Sequence, residues 1–452
     1  MKTKPLAVAA AFVIVFLLLS PSYSESFEVK DSLEAAFLKY EVMDVFVGEL
    51  RHTIRIANPW QTPIRSGKLI VPVIKNQTGR HYAVLYNIST VGEVFHGPTF
   101  LNYGSGNIYI CWSDITIGPE KTFTVELSYL ILSFNVRYLV NSSMLANYDV
   151  NSELYRWYTQ PEQFIQSDDP KIVGAAHEIV GQEMDPHKKA LLIYNFVIEH
   201  LRYEVQKEEK GALWALENGV GDCSEYSYLF VALCRAAGIP ARIQAGFAFH
   251  KDSEVMEDGH MWAEYYLEKY GWIPVDAAWK MFDQIDYRHM SSIQSIPEIP
   301  YANYIFNQTS GKRPSDKQTA QLKPASPSSF HDSQFAENLF SAVERAKTAE
   351  FGVFLGKLLG AGFLFPHEVR AVELKILESK ICVQEALDVW ETNPTVAVRN
   401  ASTALEEADG ALKGIWMVVV KAFALYISVC LILAVLIASL RKRNSQKPRS
   451  II

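Results

Sequence analysis

The sequence predicts an α+β protein in which a β-sandwich precedes a mixed core, a helical stalk and one transmembrane helix. Residues 27–150 alternate apolar and polar side chains over short runs, which is the period of strands with one buried face. Residues 331–412 carry apolar side chains at helical spacing instead. Residues 422–440 then form an uncharged apolar run that is long enough to cross about 30 Å of hydrocarbon.

The composition is that of a folded chain with an ordinary charge. Of 452 residues, 49% are hydrophobic and 12% are aromatic, which is ample for packed cores and untypical of disorder. The formal net charge of -7 is small for this length. A strongly basic nucleic-acid binder is therefore excluded, and we expect no nucleic acid among the partners.

The two ends of the chain predict export and a membrane anchor. Residues 1–24 combine lysines, an apolar run and small residues, which is the order of a secretory signal peptide, with an uncleaved anchor as the alternative. Residues 416–440 are predicted to be the transmembrane helix, and residues 441–452 form a basic tail. Because basic flanks stay cytoplasmic, we expect a single-pass membrane protein with a cytoplasmic C-terminus and its main domains extracytoplasmic.

The interior divides by composition into further segments. Residues 165–310 mix helical and strand patterns and are predicted to form one domain after the β-sandwich of residues 27–150. Residues 311–330 are polar and rich in Pro, Ser and Lys, which predicts a linker. Residues 331–412 are then predicted to form a helical hairpin or stalk that leads into the membrane span.

Cys223 lies at the predicted start of a helix. Gly219 and Gly221 form a permissive turn before it, Asp222 is a good N-cap, and Gly238 ends the helical pattern. The free N–H groups and the positive dipole end of a first helical turn favour a thiolate. The alternative is a small buried hydrophobic residue, which is the common fate of a cysteine outside a disulfide.

A nucleophilic thiolate needs a base, and the base needs a group that orients it. His260 and Asp276 lie in two predicted strands, roughly 260–266 and 272–278, which a short loop joins. If residue 260 pairs with residue 276, the imidazole and the carboxylate are cross-strand neighbours on one face of the sheet. The alternative is a structural histidine and a solvated aspartate at a strand end.

Together, these segments resemble the transglutaminase-like superfamily, a papain-related group of Cys-His-Asp enzymes. The resemblance rests on the Gly-x-Cys at the helix start, on "RAAGIPAR", on "HMWAE" and on "WIPVD", and it covers roughly residues 165–280. It implies a papain-like transglutaminase core. It also implies that Cys223, His260 and Asp276 form a catalytic triad in an enzyme that acts as a cysteine protease, an amidase or a protein-glutamine acyltransferase.

The roles follow from the same resemblance. Cys223 attacks a carboxamide or peptide carbonyl to give a thioester, His260 exchanges the proton, and Asp276 holds the imidazole. We expect a protease or amidase rather than a cross-linking enzyme. Tryptophan residues are candidate walls of the acyl slot, with the protein core as the alternative place for each: Trp214, Trp262 and Trp272.

The sequence contains no EF-hand loop and no cluster of Cys and His at metal-ligand spacing. We therefore expect no metal and no other cofactor. The expected partners are a protein or peptide substrate and the membrane. Two further functions stay open: a non-catalytic scaffold or adhesion protein that uses the β-sandwich and the stalk, and a sensor that signals across the span.

Overall fold

The computed structural model describes residues 38–103, 106–294, 302–309 and 312–445. The predicted signal peptide, residues 1–24, and the end of the basic tail lie outside these ranges. The chain forms two compact units. One contains residues 38–344 and 379–406, and the other contains residues 345–378 and 407–445.

Six strands open the first unit, and their side chains alternate as the sequence predicts. In the first strand Leu50, Ile54 and Ile56 are fully buried, while Arg51 and Arg55 are exposed. This alternation gives the strand one face for the core and one for solvent. The six strands are β1 (Tyr40–Ala57), β2 (Ile64–Pro72), β3 (His81–Val91), β4 (Glu93–Tyr103), β5 (Asn107–Ile117) and β6 (Thr122–Tyr138).

The mixed region follows as a layer of helices on a five-stranded antiparallel sheet. The helices are α1 (Glu153–Tyr158), α2 (Pro170–Val180), α3 (Pro186–His200), α4 (Ala212–Asn218) and α5 (Cys223–Ala236), with a short parallel pair, β7 (Arg202–Tyr203) and β8 (Val220–Gly221). The sheet has the order β13-β12-β11-β9-β15. Its strands are β9 (Ala241–Ala248), β11 (His260–Leu267), β12 (Gly271–Asp276), β13 (Met281–Phe282) and β15 (His289–Gln294).

Later parts of the chain complete the sandwich. One of its sheets has the order β10-β17-β1-β6-β14, with β3 also paired to β6, and the other has the order β16-β2-β5-β4. The two sheets share one apolar core, to which β1 contributes Leu50 and β5 contributes Trp112. Four strands from beyond residue 250 therefore belong to these sheets: β10 (Glu254–Met256), β14 (Gln284–Ile285), β16 (Ile305–Asn307) and β17 (Ser315–Pro324).

The predicted linker, residues 311–330, differs from the structure, because it contains β17. This strand pairs with β1 without interruption from Ser315 opposite Ala57 to Pro324 opposite Gly48. Only two of its side chains are buried, and one of these is Leu322. A strand with a polar outer face and so few apolar residues has the composition of a linker, which explains why the sequence pattern did not reveal it.

Helices dominate the rest of the chain: α6 (Ser333–Leu358), α7 (Ala361–Leu364), α8 (Pro366–Val389) and α9 (Pro394–Ser445). In the first unit, parts of three of these helices cover the outer face of the β1–β6 sheet, using Phe335, Leu387 and Ala401. In the second unit, Val353, Val372 and Ile415 from the same three helices share a smaller core. The α+β fold class predicted from the sequence is therefore confirmed.

The predicted transmembrane segment, residues 416–440, lies inside α9. This helix continues from the predicted stalk without a break, and its most apolar window has a mean hydropathy of 2.7 with none of the window buried. By length and composition, α9 is able to cross a membrane.

Candidate active site

The turn before α5 is built to hold Cys223 in the first turn of the helix. The Asp222 carboxylate accepts hydrogen bonds from the backbone N–H and the hydroxyl of Ser224 at 3.1 and 2.9 Å. Glu225 Oε2 accepts the backbone N–H of Asp222 at 3.1 Å, which completes a capping box. Gly221 is needed there, because a Cβ would lie 2.3 Å from the Cβ of Glu225. The thiol of Cys223 is left half-buried.

β11 and β12 form the hairpin that carries His260 and Asp276. The sequence prediction paired these two residues directly. In the structure Ala263 pairs with Val275, so the register places Asp276 opposite Trp262, and the predicted pairing was wrong by two residues. The cause is a loop that begins one residue later than predicted. A shift of two residues keeps the parity of the strands, so both side chains still lie on the same face.

The carboxylate of Asp276 is the centre of a buried hydrogen-bond cluster. Its Oδ2 lies 2.7 Å from His260 Nε2 and 3.1 Å from His289 Nε2. Its Oδ1 accepts the backbone N–H of Trp279 at 2.9 Å. Asp276 itself is fully buried. Burial of an unsatisfied carboxylate would cost several kcal/mol, and these donors offset that cost.

The electrostatics keep both members of the His260–Asp276 pair charged. Burial alone would raise the pKa of Asp276, but His260 and His289 outweigh it and hold that pKa well below its usual range. Burial lowers the pKa of His260, while the Asp276 carboxylate and hydrogen bonds to Asp276 and Cys223 raise it to about 9. His260 is therefore an imidazolium at neutral pH.

The structure brings the three predicted site residues together in one row. Cys223 and His260 line the same cleft, and the side chain of Cys223 is close enough to His260 to help raise its pKa. Because Asp276 holds Nε2 of His260, Nδ1 is the ring nitrogen left for the sulfur. The order is thus thiol, imidazole, carboxylate, with the imidazole and the carboxylate in hydrogen-bond contact.

The tryptophan residues are arranged differently from the sequence expectation. None of Trp214, Trp262 and Trp272 lines the cleft at Cys223. Trp262 is buried in the core, and Trp272 packs under the guanidinium of Arg242 at 4.0 Å. Two tryptophan rings lie against His260: that of Trp279, with centroids 4.9 Å apart, and that of Trp262, stacked at 6.2 Å.

An open cleft of about 600 Å³ leads to the thiol and the imidazole. The mixed core supplies one wall, which includes Glu209 and Asp222, and strands of the sandwich supply the other, which includes Phe306, Asp316 and Gln318. The sandwich therefore contributes directly to the site. Sequence patterns do not reveal this contribution, because the contributing strands lie in the region predicted to be a linker and just before it.

The arginines and the glutamate of the family motifs hold the sheet and the helix in place. Arg235 donates to two backbone carbonyls at 2.6 and 2.8 Å and pairs with Glu162 at 2.6 Å. Glu264 is fully buried and pairs with Arg242 at 2.6 Å and with Arg80 of the sandwich. Burial lowers the pKa of Arg242 to about 9. None of these residues lines the cleft.

His289 and Trp279 are parts of the site that sequence reasoning missed. The only signal for His289 is an aspartate three residues earlier, a spacing far too common to single it out. His260, Asp276 and His289 present ligand atoms that all lie within 4.8 Å of one another, so distance alone would admit a metal ion. The same atoms are engaged with each other in hydrogen bonds.

Comparison with known proteins bears on this region. A sequence model described as the Transglutaminase-like superfamily matches residues 173–277, which include Cys223, His260 and Asp276. The resemblance predicted from the sequence is thereby confirmed, and this segment is a transglutaminase-like core. An uncharacterized protein of Haemophilus influenzae is 34% identical in an alignment of 125 residues that covers 22% of this chain and 34% of that protein. The chain thus spans about a third of that relative's length.

Solved structures are similar to parts of this chain at low identity. A candidate cysteine protease from Cytophaga hutchinsonii is 18% identical, with a TM-score of 0.48 over 63% of this chain and 92% of the other. The periplasmic domain of TgpA from Pseudomonas aeruginosa, solved with ethylmercury, is 16% identical, with a TM-score of 0.28 over 51% of this chain and 90% of the other. Values this low bear on neither the activity nor the substrate of this chain.

Proposed function

We propose that this protein is a membrane-anchored thiol enzyme that acts outside the cytoplasm and breaks amide or peptide bonds through a thioester on Cys223. One observation carries the proposal. A half-buried thiol in the first turn of α5 lies in the same open cleft as the imidazole of His260, which a buried carboxylate holds. Each part has a defined task in acyl transfer.

In the first half of the reaction, the Cys223 thiolate attacks the carbonyl carbon and a C–S bond forms. The carbonyl π electrons move to the oxygen, where backbone N–H groups of the first turn of α5 stabilise the negative charge. His260 donates its Nδ1 proton to the departing nitrogen as the C–N bond breaks. An amine leaves, and a thioester and a neutral imidazole remain.

In the second half, the neutral imidazole of His260 accepts a proton from water as the water oxygen attacks the thioester. The C–S bond then breaks, the carboxylic acid leaves, and the thiolate and imidazolium are restored. Asp276 holds the ring orientation and stabilises the imidazolium through its bond to Nε2. An amine in place of water would give transfer rather than hydrolysis.

Hydrolysis of protein or peptide substrates fits the cleft better than transfer does. Asp222, Asp316 and Gln318 line it with polar groups, and the cleft is open to solvent. A thioester formed at Cys223 is therefore reached by water unless an amine is bound in its place. We infer a protease or amidase that has acyl transfer as its side reaction.

The anchor and its orientation are part of the same proposal. The apolar part of α9 ends at the basic residues Arg441 and Lys442, and basic flanks stay on the cytoplasmic side. The transglutaminase-like core then lies outside. Protease added to intact cells or spheroplasts should degrade the chain up to the span, and full protection would contradict this orientation.

The activity is tested with the full chain in detergent and a peptide library, with cleavage products read by mass spectrometry. Wild-type protein should release products, and Cys223→Ala should release none. Cys430→Ala removes a thiol from the predicted span and should retain the wild-type rate. Incorporation of a biotinylated amine measures transfer in parallel. Equal product release by wild type and Cys223→Ala would overturn the proposal in favour of a non-catalytic scaffold.

A further inference from the structure

His289 is held by carboxylates at both nitrogens of its ring. Nε2 lies 3.1 Å from Asp276 Oδ2, and Nδ1 lies 2.7 Å from Asp286 Oδ1. The side chain is only 1% exposed. A neutral imidazole has one N–H donor and one acceptor nitrogen, so two carboxylate partners require the doubly protonated ring.

A second set of contacts fixes the carboxylate behind His289. Arg288 reaches Asp286 Oδ2 through Nε at 3.0 Å and through Nη2 at 2.8 Å. The backbone N–H of Arg288 also donates to Asp286 Oδ1 at 3.0 Å. The Asp286 carboxylate is therefore locked in one rotamer, and it sets the position of His289 from the side away from the thiol.

The same Asp276 oxygen receives both histidines. Because Oδ1 of Asp276 accepts the N–H of Trp279 and Oδ2 faces both imidazoles, the carboxylate cannot rotate without losing a bond. The His260 and His289 rings lie 5.7 Å apart between centroids. Two cations at that distance repel each other, so each one lowers the affinity of the other for its proton.

We propose that His289 is a positioning residue of the thiol enzyme. It fixes the rotamer of Asp276, and its positive charge limits how tightly His260 holds the proton that the leaving nitrogen must receive. The inference rests on the proposed function. It extends the row of Cys223, His260 and Asp276 by two members to five, with His289 and Asp286 behind Asp276.

Other charged or titratable groups face this row from the neighbouring elements, and their charges are unchanged by substitution of His289. Tyr194 of α3 and Tyr203 of β7 feel the Asp276 charge, since burial and that charge both raise the pKa of each tyrosine. Asp222 acts from the start of α5 and Arg288 from the turn before β15. None of them donates to Asp276 Oδ2 in the described structure.

The test uses a signal that a purely structural role would not move. The rate at which iodoacetamide alkylates Cys223, followed by mass spectrometry of the full chain in detergent, changes when His260 loses its proton. This alkaline inflection needs no substrate. It therefore reports on the row even if the search for a peptide substrate fails, and kcat/KM against pH reports the same inflection if a substrate is found.

His289→Gln removes the cation and retains an N–H donor for Asp276. We expect the alkaline inflection to move upward by about one pH unit, the scale of one charge at this distance. Asp286→Asn removes the carboxylate that favours the protonated form of His289 at Nδ1, and it should produce a smaller upward shift of the alkaline inflection. Cys223→Ala must abolish labelling at this position, which identifies the signal.

An alkaline inflection that does not move upward would overturn the inference. An inflection that stays in place or moves downward in folded His289→Gln means that His289 carries no charge that acts on His260. If His289→Gln fails to fold, Asp286→Asn decides the question alone by the same reading. If His289→Gln loses peptide cleavage while its inflection is unchanged, His289 has a structural role only. If wild-type protein shows no Cys223-dependent cleavage, that result counts against the proposed function and not against this inference.

Discussion

Asp276→Asn removes the charge that keeps His260 protonated, and its effect follows from the geometry. The carboxylate lies 2.7 Å from His260 Nε2 and helps to raise the pKa of His260 from its ordinary 6.5 to about 9 against burial. Without the carboxylate, burial should bring the pKa of His260 from about 9 to 6.5 or below. The corresponding change in the free energy of protonation is about 3 kcal/mol. At pH 7.5 the protonated fraction would fall from nearly all to about one-tenth.

The assay is kcat/KM against pH for a peptide substrate. We expect Asp276→Asn to lower kcat/KM at pH 7.5 at least about tenfold through protonation alone, and further because an asparagine no longer selects one tautomer of His260. The alkaline limb should move from near pH 9 to about 6.5 or below. Asp258→Asn changes an exposed carboxylate close by and is the matched control. A limb that stays near pH 9 in Asp276→Asn would refute the reasoning.

Three further predictions concern stability. Gly221→Ala should break the capping box, because the added Cβ would lie 2.3 Å from the Cβ of Glu225. Thermal unfolding and the rate of Cys223 labelling should both show the loss. As a control, a Cβ at Gly174 would have no atom within 4 Å, so Gly174→Ala should stabilise the protein by about 0.5–1 kcal/mol. Leu322→Ala should cost about 2–5 kcal/mol in urea unfolding, since Leu322 is fully buried, and a linker residue would cost almost nothing. The pKa of Asp276 is lower in the folded protein than its value of 3.8 in the unfolded chain, so ionised Asp276 contributes stability above pH 3.8 and loses that contribution as pH falls. The free energy of unfolding of wild type should therefore exceed that of Asp276→Asn by less and less from about pH 5 downward.

The sequence predicted the parts of the site that have local signatures. Cys223 follows a cap and a required glycine, and the strand that starts at His260 is joined to the strand of Asp276 by a tight loop. Even the wrong register left His260 and Asp276 on one face, because an error of two residues preserves the alternation of a strand. A slip of one residue would have separated them.

The parts that were missed have no local signature. His289 reaches the site because β15 pairs with β9, a strand distant in sequence, and Trp279 reaches it from the turn that follows β12. A lone His or Trp gives no pattern to detect. Segment 315–324 has the composition of a linker, and only its pairing with β1 makes it a strand. The second wall of the cleft was unpredictable for the same reason, since it is built by strands that return to the sandwich after the core.

The central claim is that Cys223 carries a thioester during turnover. The most direct measurement is rapid acid quenching of the full chain during reaction with a peptide substrate, followed by mass spectrometry of the peptide that contains Cys223. The mechanism predicts a mass increase equal to the acyl part of the substrate on Cys223, removed by hydroxylamine and absent from Cys223→Ala. Product formation by wild-type protein without any acyl adduct on Cys223, and at the same rate by Cys223→Ala, would contradict it.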